Sequence, residues 1–230
     1  MKNRETTLSC IIPAFNEESS IENTLRAVRG LGEMIMEIVV VDDGSTDGTC
    51  RIVKKFPGVK LFAQGTNQGK SSAVARGIRE SSGNYILLLD ADLIGLTKES
   101  VAALIRPIQD SDADVVISMR ENTPFWMKMG GLDLMSGERV LLRSFLLPHL
   151  AELEKLSGFG IEVFLNRLVI KEKLRLQSVM LKNVRNNLKF RKREPWRGIR
   201  DEALMWRDIF KTISFFEFIS QVVRMRKLLI

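Results

Sequence analysis

Over its first 120 residues the chain alternates short apolar runs with segments of helical period, and few folds accommodate that pattern. Residues 8–13, 37–41, 59–63, 85–89 and 114–119 are near-continuously apolar, which reads as strands buried on both faces. Between them, residues 20–31, 46–56, 70–81 and 98–109 carry helical spacing, with Ser19 or Ser20, Ser45 or Thr46, and Thr97 placed to cap their starts. Strict strand–helix repetition through short links implies right-handed crossovers and an α/β, mostly parallel sheet flanked by helices. Ligands of such sheets bind beyond the carboxyl ends of the strands, so the residues after each strand are the ones to read for chemistry.

From about Glu121 the alternation stops. Residues 123–137 are rich in Met, Gly, Phe and Trp; 138–147 and 159–173 read as helices and 174–181 as a strand. Residues 183–200 form a basic connector, and 201–230 read as one or two helices. With no internal repeat or low-complexity linker, a chain of 230 residues can bury one sizeable core. The expected organisation is one unit in three stretches: 1–120, a mixed α/β region at 121–200, and an amphipathic helical tail at 201–230. Residues 1–120 hold 14 basic and 16 acidic side chains (net −2), residues 121–230 hold 21 and 12 (net +9). The overall +7 therefore belongs to the second half and points to an anionic partner there.

Cys10 and Cys50 lack CxxC or Cys/His spacing, which argues against a disulfide framework or zinc site and suits a reducing compartment. No run reaches the roughly 18 apolar residues of a membrane span; the best stretch, 209–223, carries Lys211 and Glu217. The polar first seven residues do not read as a signal peptide, so a cytoplasmic location is expected. Nucleic acid is a poor fit, because only Phe190 and Trp196 interleave with the charges of the basic connector.

The residues after each strand are polar in register: Pro13-Ala14-Phe15-Asn16-Glu17, Asp42-Asp43-Gly44-Ser45, Asn67-Gln68-Gly69-Lys70 and Asp90-Ala91-Asp92. Each cluster alone is compatible with turn chemistry, but four on one sheet edge imply a site. Asp90 and Asp92 can point off one strand end into the same crevice, as hard oxygen ligands suited to Mg²⁺ or Mn²⁺. Asp42 and Asp43 are too close in sequence for a second such pair; one of them could accept hydrogen bonds from a base or ribose. Lys70, at a helix start, can meet a phosphate through charge and dipole together. The stretch Gly65-Thr66-Asn67-Gln68-Gly69-Lys70-Ser71 looks like a P-loop, but only three residues separate its glycines where four are needed.

Together with Ile11-Ile12 and Thr46-Asp47-Gly48-Thr49, these four ordered motifs resemble glycosyltransferase family 2, of the Rossmann-like GT-A fold, over about residues 8–120. The resemblance implies metal-dependent transfer of a hexose from a nucleotide diphosphate sugar, a UDP-sugar first, with Mg²⁺ or Mn²⁺ as cofactor. It implies a nucleotide-sugar site made of Pro13, Ala14, Phe15, Asn16, Glu17, Asp42, Asp43, Gly69, Lys70, Asp90, Ala91 and Asp92. Asp43 would hold the base, Asp90 and Asp92 would be the Asp-x-Asp pair, and Asp92 would be the direct metal ligand and a catalytic residue.

The second half departs from that pattern. Many inverting members place a Glu-Asp pair after the sheet, the Asp serving as general base; this chain has no Glu-Asp dipeptide. Either the acceptor is already ionised, such as a polyprenyl phosphate, or configuration is retained. Ser136-Gly137-Glu138-Arg139 and Gly158-Phe159-Gly160-Ile161-Glu162 are similar to both polyprenyl-phosphate sugar synthases and glucosyl-3-phosphoglycerate synthases. Glu162 is the candidate acceptor contact and second catalytic residue, or else a helix-terminal carboxylate favoured by the dipole. Where relatives supply a metal-binding His, this chain has Asn186 and Asn187, which leaves the third ligand to water or Asn187; His149 comes too early. Those departures keep open a non-catalytic domain that binds nucleotide sugar or membrane. The last helix, with Phe215, Phe216, Phe218, Ile219, Val222 and Val223 ending in Arg224, Arg226 and Lys227, either packs on the globule or lies on the cytoplasmic face of an anionic membrane.

Overall fold

A computed structural model describes residues 6–186, 207 and 209–230. Its strands are β1 (Leu8–Ala14), β2 (Glu37–Asp42), β3 (Val59–Ala63), β4 (Tyr85–Leu88), β5 (Leu93–Ile94), β6 (Val115–Arg120), β7 (Arg139–Leu142), β8 (Leu176–Leu181) and β9 (Arg185–Asn186). Its α-helices are α1 (Ile21–Arg29), α2 (Thr49–Val53), α3 (Lys70–Glu80), α4 (Lys98–Gln109), α5 (Phe125–Met129), α6 (Arg143–Leu146), α7 (Leu150–Leu153), α8 (Gly160–Glu172) and α9 (Phe215–Arg226). Seven strands form one sheet in the order β3-β2-β1-β4-β7-β6-β8, parallel throughout except for β7, which is antiparallel to both neighbours. β5 and β9 make a separate two-stranded ribbon.

The apolar runs have the composition they do because helices cover both faces of the sheet. Alternate strand residues enter two cores. Ile11, Val39, Ile86 and Val115 face α3 and α8, while Cys10, Val40, Leu87 and Val116 face α1 and α4. The expected strands and helices of the first 120 residues are present within a few residues, and the helix 98–109 ends where expected, with Thr97 accepting from the Ser100 N–H at 3.2 Å. The second helix starts three residues late. Ser45 N–H donates to Asp42 and Thr46 N–H to Asn16, so residues 45 and 46 are spent tying loops together rather than capping.

The larger correction falls at 138–147, where a helix was expected. Residues 139–142 are instead β7, inserted between β4 and β6, and only Arg143–Leu146 is helical. A helix there would leave the facing edges of β4 and β6 without partners in the middle of a buried sheet. Arg139, Val140 and Leu141 are all buried, so local spacing could not separate a strand covered on both faces from a helix.

At the end of the sheet away from those loops, Glu37 ties three strands together. Its carboxylate accepts from Ser9 Oγ (2.6 Å), Ser82 N–H (2.6 Å) and Lys60 Nζ (2.6 Å). Burial works to raise its pKa, but these hydrogen bonds outweigh burial and bring it to about 2. A carboxyl depressed on folding contributes stability that is present above its ordinary pKa near 4.5 and lost as pH falls toward about 2. The urea stability gap between wild type and Glu37→Gln should therefore be wide at pH 7 and shrink between about pH 4.5 and 2; a gap independent of pH would refute it.

In the second half, α9 lies on α8, with Gln221 Nε2 donating to the Val163 carbonyl and Asn166 Nδ2 to Gln221 Oε1 (3.2 Å). The chain then returns to β8, where Leu176 N–H donates to the Leu228 carbonyl and Ile230 N–H to that of Leu176. Among the described residues no helix is long and apolar enough to cross a membrane. The basic connector lies outside the described residues apart from its first four positions.

Candidate active site

The carboxyl ends of β1, β2 and β4, with the start of α3, enclose a cleft of about 360 Å³. Pro13, Ala14, Phe15, Glu17, Asp43, Gly69, Lys70, Asp90, Ala91 and Asp92 line it, and Asn67 and Ala73 join them. Two candidates stand outside. Asp42 is buried and turned inward to the Ser45 N–H, and Asn16, at φ 55°, accepts from Thr46 N–H and donates its own N–H to Ser45 Oγ. Both hold the loops that carry the lining residues.

Asp43 organises the third loop. Its two carboxylate oxygens accept from Gln68 N–H and Gly69 N–H, each at 2.8 Å, so the amides that would cradle a phosphate in a P-loop are already occupied. The two loops meet at Gly44 (φ 78°), where a Cβ would lie 2.8 Å from the Asn67 nitrogen. Only glycine combines that backbone with that approach.

Along the floor of the cleft runs a chain of charges, half-buried at Lys70 and Asp90 and buried at Glu162, Arg120, Glu138 and Asp133. Lys70 Nζ lies 2.7 Å from Asp90 Oδ1 and 3.0 Å from Glu162 Oε1, which joins the β4 loop to the start of α8. Asp90 Oδ2 lies 3.9 Å from Arg120, whose guanidinium also meets Glu138 at 3.2 Å and Asp133 at 3.8 Å. Burial pushes Asp90 up, but Lys70 and then Arg120 prevail and hold it below the usual carboxylate range. Burial would likewise lower Lys70, yet Asp90 and Glu162 keep its ammonium well above its ordinary pKa. Gly137 closes the floor, since a Cβ there would sit 2.6 Å from Asp90 Oδ2 and 2.8 Å from Lys70 Nζ.

Asp92 is the contrasting member of the pair. Burial first, then the charges of Asp90 and Glu17, push its carboxyl up to about 7. Glu162, Asp90, Glu138 and Asp133 are four carboxylates paired with two cations, Lys70 and Arg120, so the ion-paired network is net −2. A divalent cation fits that deficit, and Asp92, crowded by carboxylates rather than paired with a cation, is the ligand suited to it. Asp90, already held by Lys70, is the poorer one. Among the described residues no three His, Cys, Asp or Glu side chains gather as a metal site.

Glu162 is buried, and its Oε2 has no hydrogen-bond partner among the described residues. It lines a cavity of about 10 Å³ with Lys70, Asp90, Gly137 and Arg139, room for about one water or hydroxyl. Asn187 lies outside the described residues; Asn186, just before it, pairs with Leu93, the residue after Asp92. His149 packs edge-on against Phe164 and faces Glu152 at 3.8 Å. Sequence reasoning missed Arg120 as a site residue, and with it the roles of Asp133, Glu138 and Arg139. Arg120 had a signal, a charge ending an apolar strand at the carboxyl edge of the sheet. Glu138 and Arg139 depended on the unrecognised strand β7, and Asp133 on the loop that leads into it.

A mostly parallel sheet with an Asp-x-Asp turn beside a Lys-bearing helix start is the GT-A type of α/β fold, and the chain belongs to glycosyl transferase family 2, whose family model matches residues 9–124. It is 33% identical to a dolichol-phosphate mannosyltransferase of Pyrococcus furiosus over 165 residues, covering 66% of this chain and 45% of that one. It is 29% identical to a dolichyl-phosphate beta-glucosyltransferase of Dictyostelium discoideum over 182 residues, covering 71% and 50%. The chain thus spans about half the length of the curated relatives it matches. Its fold is shared with glucosyl-3-phosphoglycerate synthase from Mycobacterium tuberculosis, solved with Mn²⁺, uridine diphosphate and phosphoglyceric acid, at TM-score 0.69 and 21% identity over 90% of this chain and 78% of that one.

Proposed function

We propose that this chain transfers a hexose from a UDP-sugar to a phosphorylated acceptor with the help of Mg²⁺ or Mn²⁺. The observation that carries the reading is the cleft in which Asp92 stands crowded by carboxylates beside an ion-paired cluster two positive charges short of neutral. A divalent ion offsets that deficit, and it would stabilise charge on the departing diphosphate. The named relatives are a dolichol-phosphate mannosyltransferase and a dolichyl-phosphate beta-glucosyltransferase, and the structural neighbour was solved with Mn²⁺ and a uridine nucleotide.

The residues then take these parts. Phe15 and Pro13 wall the nucleotide, Asp43 accepts from the base, and Lys70 lies beside the diphosphate. In the reaction the bond from the sugar C1 to the diphosphate oxygen breaks, its electron pair leaves with UDP, and an acceptor oxygen forms the new bond to C1. An acceptor phosphate needs no base. Glu162 Oε2, buried without a partner among the described residues, accepts a hydrogen bond from a hydroxyl of the sugar or acceptor, which removes the cost of leaving that atom unsatisfied.

UDP with Mn²⁺ at about a hundredfold its Kd should stabilise the fold by about 2.7 kcal/mol, raising Tm by roughly 5–10 °C. Absence of any shift with UDP or GDP, with or without metal, would overturn the reading. A polyprenyl phosphate and phosphoglycerate, offered separately with labelled UDP-glucose, UDP-N-acetylglucosamine and GDP-mannose, identify donor and acceptor, and the anomeric configuration of the product separates inversion from retention.

A further inference from the structure

Helix α9 is apolar on two faces, which a helix packed on one side of a globule does not need. Its inner face, Phe218, Gln221 and Met225, is buried against α8 and the core. Its outer face repeats at helical spacing: Phe215 is 58% exposed, Phe216 85%, Ile219 44% and Val223 50%. The rings of Phe215 and Phe216 lie 6.1 Å apart, and Phe210 meets Phe215 at 5.9 Å, so the aromatic end is one patch. The acid on the helix, Glu217, is held by Arg167 at 2.7 Å. At the other end Arg224, Arg226 and Lys227 are exposed, and none forms an ion pair with a described residue.

We infer that this outer face docks on an anionic lipid bilayer, the aromatic and aliphatic row entering the headgroup boundary while Arg224, Arg226 and Lys227 meet the lipid phosphates. The combination of an apolar row with a cationic end is what an interfacial helix requires. A second copy of the chain is the poorer occupant, because a chain of net charge +7 whose acid on this helix, Glu217, is already held by Arg167 offers little negative charge there to meet the three cations. The inference rests on the transferase reading only where it names the acceptor, which becomes a lipid phosphate met at the bilayer surface rather than a small soluble one. Docking itself is independent of turnover.

The test is co-sedimentation with phosphatidylcholine vesicles and with vesicles of phosphatidylcholine and phosphatidylglycerol at about 3:1, alongside the UDP–Mn²⁺ thermal shift. Wild type should bind the anionic vesicles, lose that binding as ionic strength is raised well above physiological, and bind phosphatidylcholine weakly. Phe216→Asp, and separately Arg224→Gln with Arg226→Gln and Lys227→Gln, should each weaken binding at least about tenfold while the thermal shift is retained. Vesicle binding without a UDP–Mn²⁺ shift would leave docking standing and remove the transferase reading. No wild-type binding to anionic vesicles, or equal binding by the variants, overturns the inference. Self-association abolished by Phe216→Asp in the absence of vesicle binding overturns it as well, in favour of a second copy.

Discussion

Asp92→Asn should abolish the Mn²⁺-dependent part of UDP binding and lower transfer by about 1000-fold, while the protein without metal becomes no less stable. The two halves of that result have one cause. Burial, Asp90 and Glu17 raise the Asp92 carboxyl to about 7, so above that pH its charge is held against its surroundings. A carboxyl raised on folding lends stability below its ordinary pKa near 3.8, stability that is lost as pH rises through about 7. At pH 8 the neutral amide removes that burden, and Tm without metal should rise. The same amide cannot neutralise a divalent ion, and losing several kcal/mol of charge stabilisation on the departing diphosphate is a factor of roughly 1000 in rate. Calorimetric titration of UDP with and without Mn²⁺, with melting curves at pH 8, checks both parts. Unchanged Mn²⁺-dependent binding would remove Asp92 as the ligand, and a lower Tm without metal would contradict the electrostatics of the cleft.

The second large effect is expected at Arg120→Met. One guanidinium there faces Glu138, Asp133 and Asp90, and Glu138 and Asp133 are both buried. Ser118 and Ser136 donate to Glu138 at 2.6 and 2.8 Å, and Thr123 to Asp133 at 2.6 Å, but no other cation pairs directly with either carboxylate among the described residues. Removing one partner of a buried charge pair costs about 3–5 kcal/mol, a fall in Tm of roughly 6–20 °C in a domain of this size. Glu138→Gln in the same chain should recover part of the loss, because it removes a charge that Arg120→Met strands. Additive losses in the double variant would show that the two side chains are not coupled. Asp90 would also lose one of the two cations that hold it, so activity should fall even where the fold survives.

The part of the site carried by the first four loops was legible because it depends on position alone. Pro13, Ala14, Phe15, Glu17, Asp43, Gly69, Lys70, Asp90 and Asp92 lie at or after the ends of strands that announce themselves by composition, and a parallel sheet delivers whatever follows its strands to one edge. Asp42 and Asn16 sat in the same motifs yet turned to hydrogen bonds within the loops, since neighbours one residue apart at a strand end point in different directions. Arg139 is less readable still. It lies in a strand that local spacing presented as a helix, and it is buried only because α8 and the 134–136 segment supply acceptors for its guanidinium: Asn166 Oδ1 and the carbonyls of Leu134 and Ser136.

By itself the sequence determined the parallel half of the sheet, its two apolar faces and the loops that form the cleft, because burial on both sides and the sheet's handedness are properties of local composition and chirality. The tertiary structure decided the rest. It inserted β7 antiparallel, set Lys70 between Asp90 and Glu162 across 92 residues of chain, and gathered Arg120, Asp133, Glu138 and Arg139 beneath Asp92. The energy of a buried charge depends on which other charges the fold brings within a few ångströms of it, and no local pattern carries that information.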